Sequence, residues 1–108
     1  MIYKPMSIKE TYETFIQDLL EDGQVHTAQE LADYAMIKER HDSCPTTRAI
    51  LLGMIIKGAL IGSTAKGYKL METGKEVQQC LNSLLRRQMA ISRRIQVIYD
   101  AAKAQDIL

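Results

Sequence analysis

The stretch GALIGSTAKGYKL, residues 58–70, decides the fold. Gly58 is suited to end a preceding helix, because a residue without a Cβ readily adopts the left-handed conformation found there. Two short segments, 59–63 and 68–70, then flank a turn that contains Gly67. Short strand-forming segments on both sides of a glycine-bearing turn are typical of a β-hairpin. We therefore expect two short antiparallel strands.

Three helices are expected before this hairpin. Ser7 with Glu10, and Thr27 with Glu30, have the spacing of capping boxes, whose hydroxyl and carboxylate groups bind free amides at a helix start. They predict a first helix that ends at Asp22-Gly23 and a second that ends near Ala35, with a brief extended piece between them. Pro45 is tolerated only in the first turn of a helix, so the third helix should run from about residue 44 to residue 57.

A last helix of about thirty residues is expected after Thr73-Gly74, because nothing that follows breaks a helix. Its apolar residues alternate steps of four and three, which is the heptad pattern of a coiled coil, with one polar interruption at Gln88. The predicted dimerisation residues are Val77, Leu81, Leu84, Gln88, Ile91, Ile95 and Ile98. The alternative is a helix that packs back on its own domain through the first three of them.

The expected fold is therefore mainly α-helical with a small β-hairpin, an α+β layout, followed by a long C-terminal helix. We expect residues 1–72 to form the folded domain and residues 73–108 to form the dimerisation helix. A chain of 108 residues matches one hydrophobic core, which commonly serves ~100 to 150 residues.

The order helix, short strand, helix, helix, hairpin is that of a winged helix-turn-helix domain. Three segments resemble such domains at the N-terminus of biotin repressors and in small phage and bacterial regulators: Glu30-Leu31-Ala32, residues 46–50 and residues 58–70. The resemblance covers residues 7–71. It implies a third helix that enters the DNA major groove and a hairpin, the wing, that lies along the DNA backbone. The polar segment 38–43 is longer than in the family, so it either places Lys38, Arg40 and His41 on DNA or serves another partner.

Charge is unevenly distributed along the chain. The net charge is +1, but residues 1–37 hold two Lys and Arg against seven Asp and Glu, whereas residues 38–69 hold six against two. A basic middle segment favours contacts with a phosphate backbone. The predicted DNA contacts are Lys38, Arg40, Thr46, Thr47, Arg48, Lys57, Lys66 and Lys69. Arg48 is the best candidate for reading a base edge. The structural alternative is that Thr46 caps the third helix and Arg48 pairs with a carboxylate.

The third helix is apolar for most of its length, from Ile50 to Ile56, and beyond its first turn only Lys57 is polar. A groove-reading helix normally exposes two or three polar residues there. The pattern favours recognition of DNA shape and phosphates over base readout. The other interpretation is that the long helix or a second subunit covers part of this face.

Other classes of function find little support. Cys44 and Cys80 lack the spacing of a metal site or a disulfide scaffold, so we expect both to be reduced thiols. His26 and His41 do not complete a metal site with them. No phosphate-binding loop or nucleophile motif is present. The longest apolar run, 49–56, is too short to span a bilayer, and the N-terminal residues lack the pattern of a signal peptide. We expect a cytoplasmic protein of a bacterium or phage-infected cell that is not an enzyme and holds no metal or cofactor.

The sequence therefore predicts a homodimer that binds double-stranded DNA, as a transcriptional regulator or as a phage or mobile-element protein. The alternative is a winged helix used as a protein-interaction module. An example would be a phage-type inhibitor of a host or defence enzyme that uses its acidic first helix as the contact face.

Overall fold

The computed structural model describes residues 5–108, which fall into two compact units that meet at Thr73 and Gly74. The first unit contains α1 (Ile8–Leu20), α2 (Ala28–Ala35), α3 (Pro45–Ile56), β1 (Ile61–Thr64) and β2 (Gly67–Leu70). The second unit contains α4 (Gly74–Ala104). The predicted layout, mainly helical with an antiparallel hairpin and a long C-terminal helix, is confirmed. Residues 1–4 lie outside the described residues. They belong to the N-terminal stretch in which no signal peptide is expected.

The helix starts follow from local side-chain chemistry. The Ser7 hydroxyl accepts a hydrogen bond from the Glu10 amide at 3.1 Å, and the Thr27 hydroxyl accepts one from the Glu30 amide at 3.1 Å. Each hydroxyl satisfies an amide that has no partner inside its helix. The predicted starts of α1 and α2 are therefore confirmed. Gly58 follows α3 with a φ of 108°, a backbone conformation that favours glycine.

The hairpin has a two-residue turn and a short register. Ile61 pairs with Leu70, and Thr64 pairs with Gly67 on either side of the turn. The predicted extended piece before α2 joins this hairpin through one residue, because His26 and Tyr68 exchange backbone hydrogen bonds of 2.8 and 2.7 Å. The segment before α2 is thereby tied to the outer edge of β2.

The core of the first unit lies among its three helices and β1. Apolar residues of α1 and α2 meet the inner face of α3 and the first residue of β1, and they include Ile16, Leu20, Leu31, Ala32, Ala35, Ile50, Leu51, Met54 and Ile61. Tyr68 and Leu70 of β2 pack at the edge of this cluster. The core thus holds the hairpin against the helices through β1 and Tyr68.

The long helix α4 has 31 residues, which at 1.5 Å per residue is about 46 Å of continuous helix. None of its residues is buried in the structure as described. Across residues 5–108, each helix is too short or too polar to cross a membrane.

Candidate nucleic-acid interface

A cleft opens between the tip of the hairpin and the starts of α2 and α3. Its volume is about 180 Å³, and it is lined by Thr27, Ala28, Arg48 and residues 63–68. It brings together two of the predicted DNA contacts, Arg48 and Lys66. The N-terminal end of α2 also borders it, and the helix dipole gives such an end a partial positive charge.

Arg48 is held in this cleft by two neighbours. Its Nε atom donates to the Ser43 carbonyl oxygen at 2.5 Å, and its Nη1 atom donates to the Tyr68 hydroxyl at 2.8 Å. The guanidinium carbon lies 6.0 Å from the centre of the Tyr68 ring. Within residues 5–108 Arg48 forms no ion pair with a carboxylate. The hydrogen bonds described use two of its five N–H donors, which leaves others for an anion.

The two hairpin lysines differ in their surroundings. Lys66 is exposed at the turn, where its amide donates to the Thr64 hydroxyl at 3.1 Å. Lys69 is half-buried in β2, opposite Gly62. The turn therefore presents Lys66 on a backbone that is fixed by a local hydrogen bond.

The start of α3 differs from the expected arrangement, because a carboxylate already occupies it. Glu39 accepts hydrogen bonds from the Thr46 amide at 3.1 Å, the Thr47 amide at 2.6 Å and the Thr47 hydroxyl at 2.9 Å. The N-cap residue itself, Cys44, is left-handed at φ 53° and makes no side-chain cap. Glu39 is thus the group that satisfies the free amides of α3, and the interpretation of Thr46 as the cap is wrong.

Burial raises the pKa of Glu39, but hydrogen bonds from Thr47 and Thr46 outweigh it and hold the pKa below its usual value. Thr47 is completely buried, so its side chain cannot reach a base in this conformation. Its predicted DNA contact is therefore corrected to a structural role. Thr46 remains exposed, but its amide is bound to Glu39 and is not open to a phosphate.

The other predicted contacts lie away from the cleft lining. Lys57 forms an ion pair with Glu13 of α1 at 3.0 Å and lines a separate groove with acidic residues of α1. This ion pair links α1 to the end of α3, and the DNA contact of Lys57 stays a prediction. Lys38 and Arg40 are exposed in the segment before α3, with no ion pair to any residue in the described range.

The outward face of α3 is apolar, as its sequence predicts. Ala49, Leu52 and Ile56 are exposed at steps of three and four residues, which places them on one side of the helix. Leu52 is 58% exposed and Ile56 is 77% exposed. This face offers no hydrogen-bond donors or acceptors to base edges beyond the first turn of the helix.

Sequence reasoning missed a cluster next to the cleft. The His26 ring lies between two carboxylates, with Nε2 2.7 Å from Asp22 and Nδ1 2.9 Å from Glu30. Burial opposes protonation of His26, but the hydrogen bonds to Glu30 and Asp22 outweigh it, so the pKa of His26 is raised. The only signal in the sequence was the four-residue spacing of the three side chains. When the ring is protonated, it donates to both carboxylates and so links the loop after α1 to α2, next to the backbone that pairs with Tyr68.

We expect the first unit to lose stability as the pH rises from the ordinary His pKa of 6.5 through the raised pKa of His26. Below 6.5 the ring is protonated in both folded and unfolded chains, so the full contribution is present there. A His26→Gln variant should lose this dependence. The melting temperatures of wild type and His26→Gln, measured from about pH 5 to about pH 8, test this expectation. Parallel curves for the two proteins would show that the cluster does not titrate as described.

Both cysteines are free, as expected; Cys44 is buried, and burial raises the pKa of its thiol. Across residues 5–108 no group of three or more His, Cys, Asp or Glu side chains is placed to hold a metal ion.

Comparison of the chain with protein-family models, curated proteins and solved structures finds no match. Function is therefore inferred from the cleft and from α4.

Proposed function

We propose that the protein binds double-stranded DNA as a homodimer and that the cleft at the hairpin receives a backbone phosphate. The observation that carries this proposal is the position of Arg48, which Ser43 and Tyr68 hold in the same cleft as Lys66. A fixed guanidinium, a second cation and a helix N-terminus are the groups that proteins use to bind phosphate. The order of helices and hairpin, which resembles a winged helix, supports the same function.

The proposed recognition depends mainly on phosphates and DNA shape. Glu39 occupies the start of α3, Thr47 is buried, and the outer face of α3 is apolar. These features leave few groups to read base edges, whereas phosphate contacts fix position without sequence information. We place the protein among regulators of transcription or phage and mobile-element DNA-binding proteins, and that role rests on the resemblance alone.

A second candidate function is binding of a protein partner, which the apolar face of α3 favours. Ala49, Leu52 and Ile56 are exposed together, and contiguous exposed apolar surface is typical of protein interfaces. The groove beside α1, lined by acidic residues that include Glu13 and Asp18, would add a charged rim. This function predicts that Leu52 and Ile56 matter for binding and that Arg48 and Lys66 do not.

The test of the DNA proposal is an Arg48→Gln, Lys66→Ala double variant. We expect its affinity for a mixed-sequence duplex to fall about tenfold or more at low salt, since two charge-assisted hydrogen bonds to phosphate are absent from each copy. The matched control is Lys9→Ala, Lys75→Ala, which removes the same charge outside the cleft lining. Fluorescence anisotropy measures the affinity, and circular dichroism checks that each variant is folded. An equal fall in affinity for the two variants would show that total charge, not the cleft, determines binding.

A further inference from the structure

The apolar seam of α4 is exposed along the length of the helix. Leu84, Ile91, Ile95 and Ile98 are each between 52% and 63% exposed, and α4 is unbroken from Gly74 to Ala104. The seam from Val77 to Ile98 covers about three heptads, with alternating steps of four and three residues. A helix with so regular an apolar stripe normally packs that stripe against another helix.

We propose that α4 of a second copy covers this seam in parallel orientation and in register, an inference that rests on the proposed homodimer. The first argument concerns Gln88. In heptad terms Leu81, Gln88 and Ile95 occupy position a, whereas Val77, Leu84, Ile91 and Ile98 occupy position d. Parallel helices in register place a against a, so the two Gln88 amides meet and hydrogen-bond to each other.

Antiparallel helices place a against d instead. Gln88 would then face an apolar residue such as Leu84 or Ile91, and its amide would be buried without a partner. An unsatisfied buried amide is costly, whereas a paired one specifies the register. Gln88 thus favours the parallel arrangement.

The second argument concerns the charges that flank the seam. Arg87 and Arg94 occupy position g, and parallel helices bring each g residue beside the e residue five positions further along the other helix. These neighbours are Ser92 and Tyr99, which carry no charge, and the Tyr99 ring can take a cation on its face. In the isolated chain that ring already contacts a cation, since Lys103 lies 5.6 Å from its centre.

Antiparallel helices would bring the two g edges together and place arginines beside arginines. Such like-charge contacts are unfavourable along a coiled coil. The outward f positions carry Arg86 and Arg93, which extend the basic ridge on the side away from the seam. Because α4 follows the first unit directly, a parallel pair joins both first units to the same end of the coiled coil.

The test uses single cysteines in a Cys80→Ser background, where the remaining Cys44 is buried. Val77→Cys and Ile98→Cys each place a thiol at position d, near opposite ends of the seam. A parallel, in-register pair predicts that each variant forms a disulfide-linked dimer under mild oxidation. A mixture of the two variants should give no 77-to-98 product. Gln79→Cys, at an outward position, is the control and should stay uncrosslinked.

A 77-to-98 product, without the two homodimeric products, would overturn the parallel arrangement while leaving dimerisation intact. Sedimentation of the wild type as a monomer at micromolar concentration would overturn the inference and the homodimer together. DNA affinity is measured separately on the same Cys80→Ser background. Failure of the DNA proposal would therefore be distinguished from failure of the parallel pair.

Discussion

A Gly67→Ala substitution is expected to lower the free energy of unfolding of the first unit by about 3 kcal/mol or more, because two penalties combine there. Gly67 has a φ of 141°, which side chains other than glycine rarely adopt. An added Cβ would also lie 2.3 Å from the His26 carbonyl oxygen and 2.7 Å from its carbon. These are backbone atoms fixed by the pairing of His26 with Tyr68, so they cannot move without breaking that pairing.

The matched control is Gly58→Ala. Gly58 has a positive φ of 108°, but a Cβ there would meet nothing within 4 Å. The Gly58→Ala substitution should therefore lower the free energy of unfolding only by the cost of the strained backbone, about 1 to 2 kcal/mol. Chemical denaturation of both variants, followed by circular dichroism, measures the difference. Equal destabilisation would mean that the close approach of the hairpin to His26 does not hold in solution.

Replacing Glu39 with alanine is expected to destabilise the first unit by about 3 kcal/mol, since hydrogen bonds to a charged group each contribute about 1.5 to 3 kcal/mol and their contributions are not additive. The change leaves the amides of Thr46 and Thr47 and the buried Thr47 hydroxyl without their acceptor. The matched control is Asp42→Ala. It removes a carboxylate that lies in the same segment but accepts no hydrogen bond from the amides of α3. It should change stability by less than about 0.5 kcal/mol.

The effect of Glu39 should also depend on pH. Its pKa is lowered in the folded protein, so its contribution is complete above the ordinary value of 4.5 and is lost as the pH falls through the folded pKa. The stability difference between wild type and Glu39→Ala should therefore shrink in acid. A difference that is constant down to the acid transition would show that the carboxylate does not bind these amides as an anion.

The secondary structure could be predicted because its signals are local. Ser7 and Thr27 bind amides three residues away, and Gly58 meets a conformational requirement of its own backbone. The heptad spacing in α4 is likewise visible within a single helix. Such features depend on near neighbours in the sequence, so the kinds and order of the elements agree with expectation. The strand bounds differ slightly, because β1 begins at Ile61 instead of residue 59 and β2 begins at Gly67.

The candidate site could be predicted only in part because its contacts join distant segments. Glu39 caps α3 from a loop seven and eight residues away, which no capping-box spacing describes. Lys57 meets Glu13 across 44 residues. Arg48 and Tyr68, which are 20 residues apart, come together only in the folded chain. Sequence identified Arg48 and Lys66 as candidates, but the burial of Thr47 and the pairing of Lys57 depend on tertiary packing.

The most direct test of the proposed function is the salt dependence of wild-type binding to a mixed-sequence DNA duplex. If backbone phosphates occupy the clefts, the logarithm of the affinity should fall linearly with the logarithm of salt concentration between about 50 and about 400 mM KCl. The slope should be smaller for the Arg48→Gln, Lys66→Ala variant, by about one for each phosphate that this variant no longer binds. Absence of binding at about 50 mM KCl, where phosphate contacts are strongest, would contradict DNA binding and favour a protein partner on the apolar face of α3.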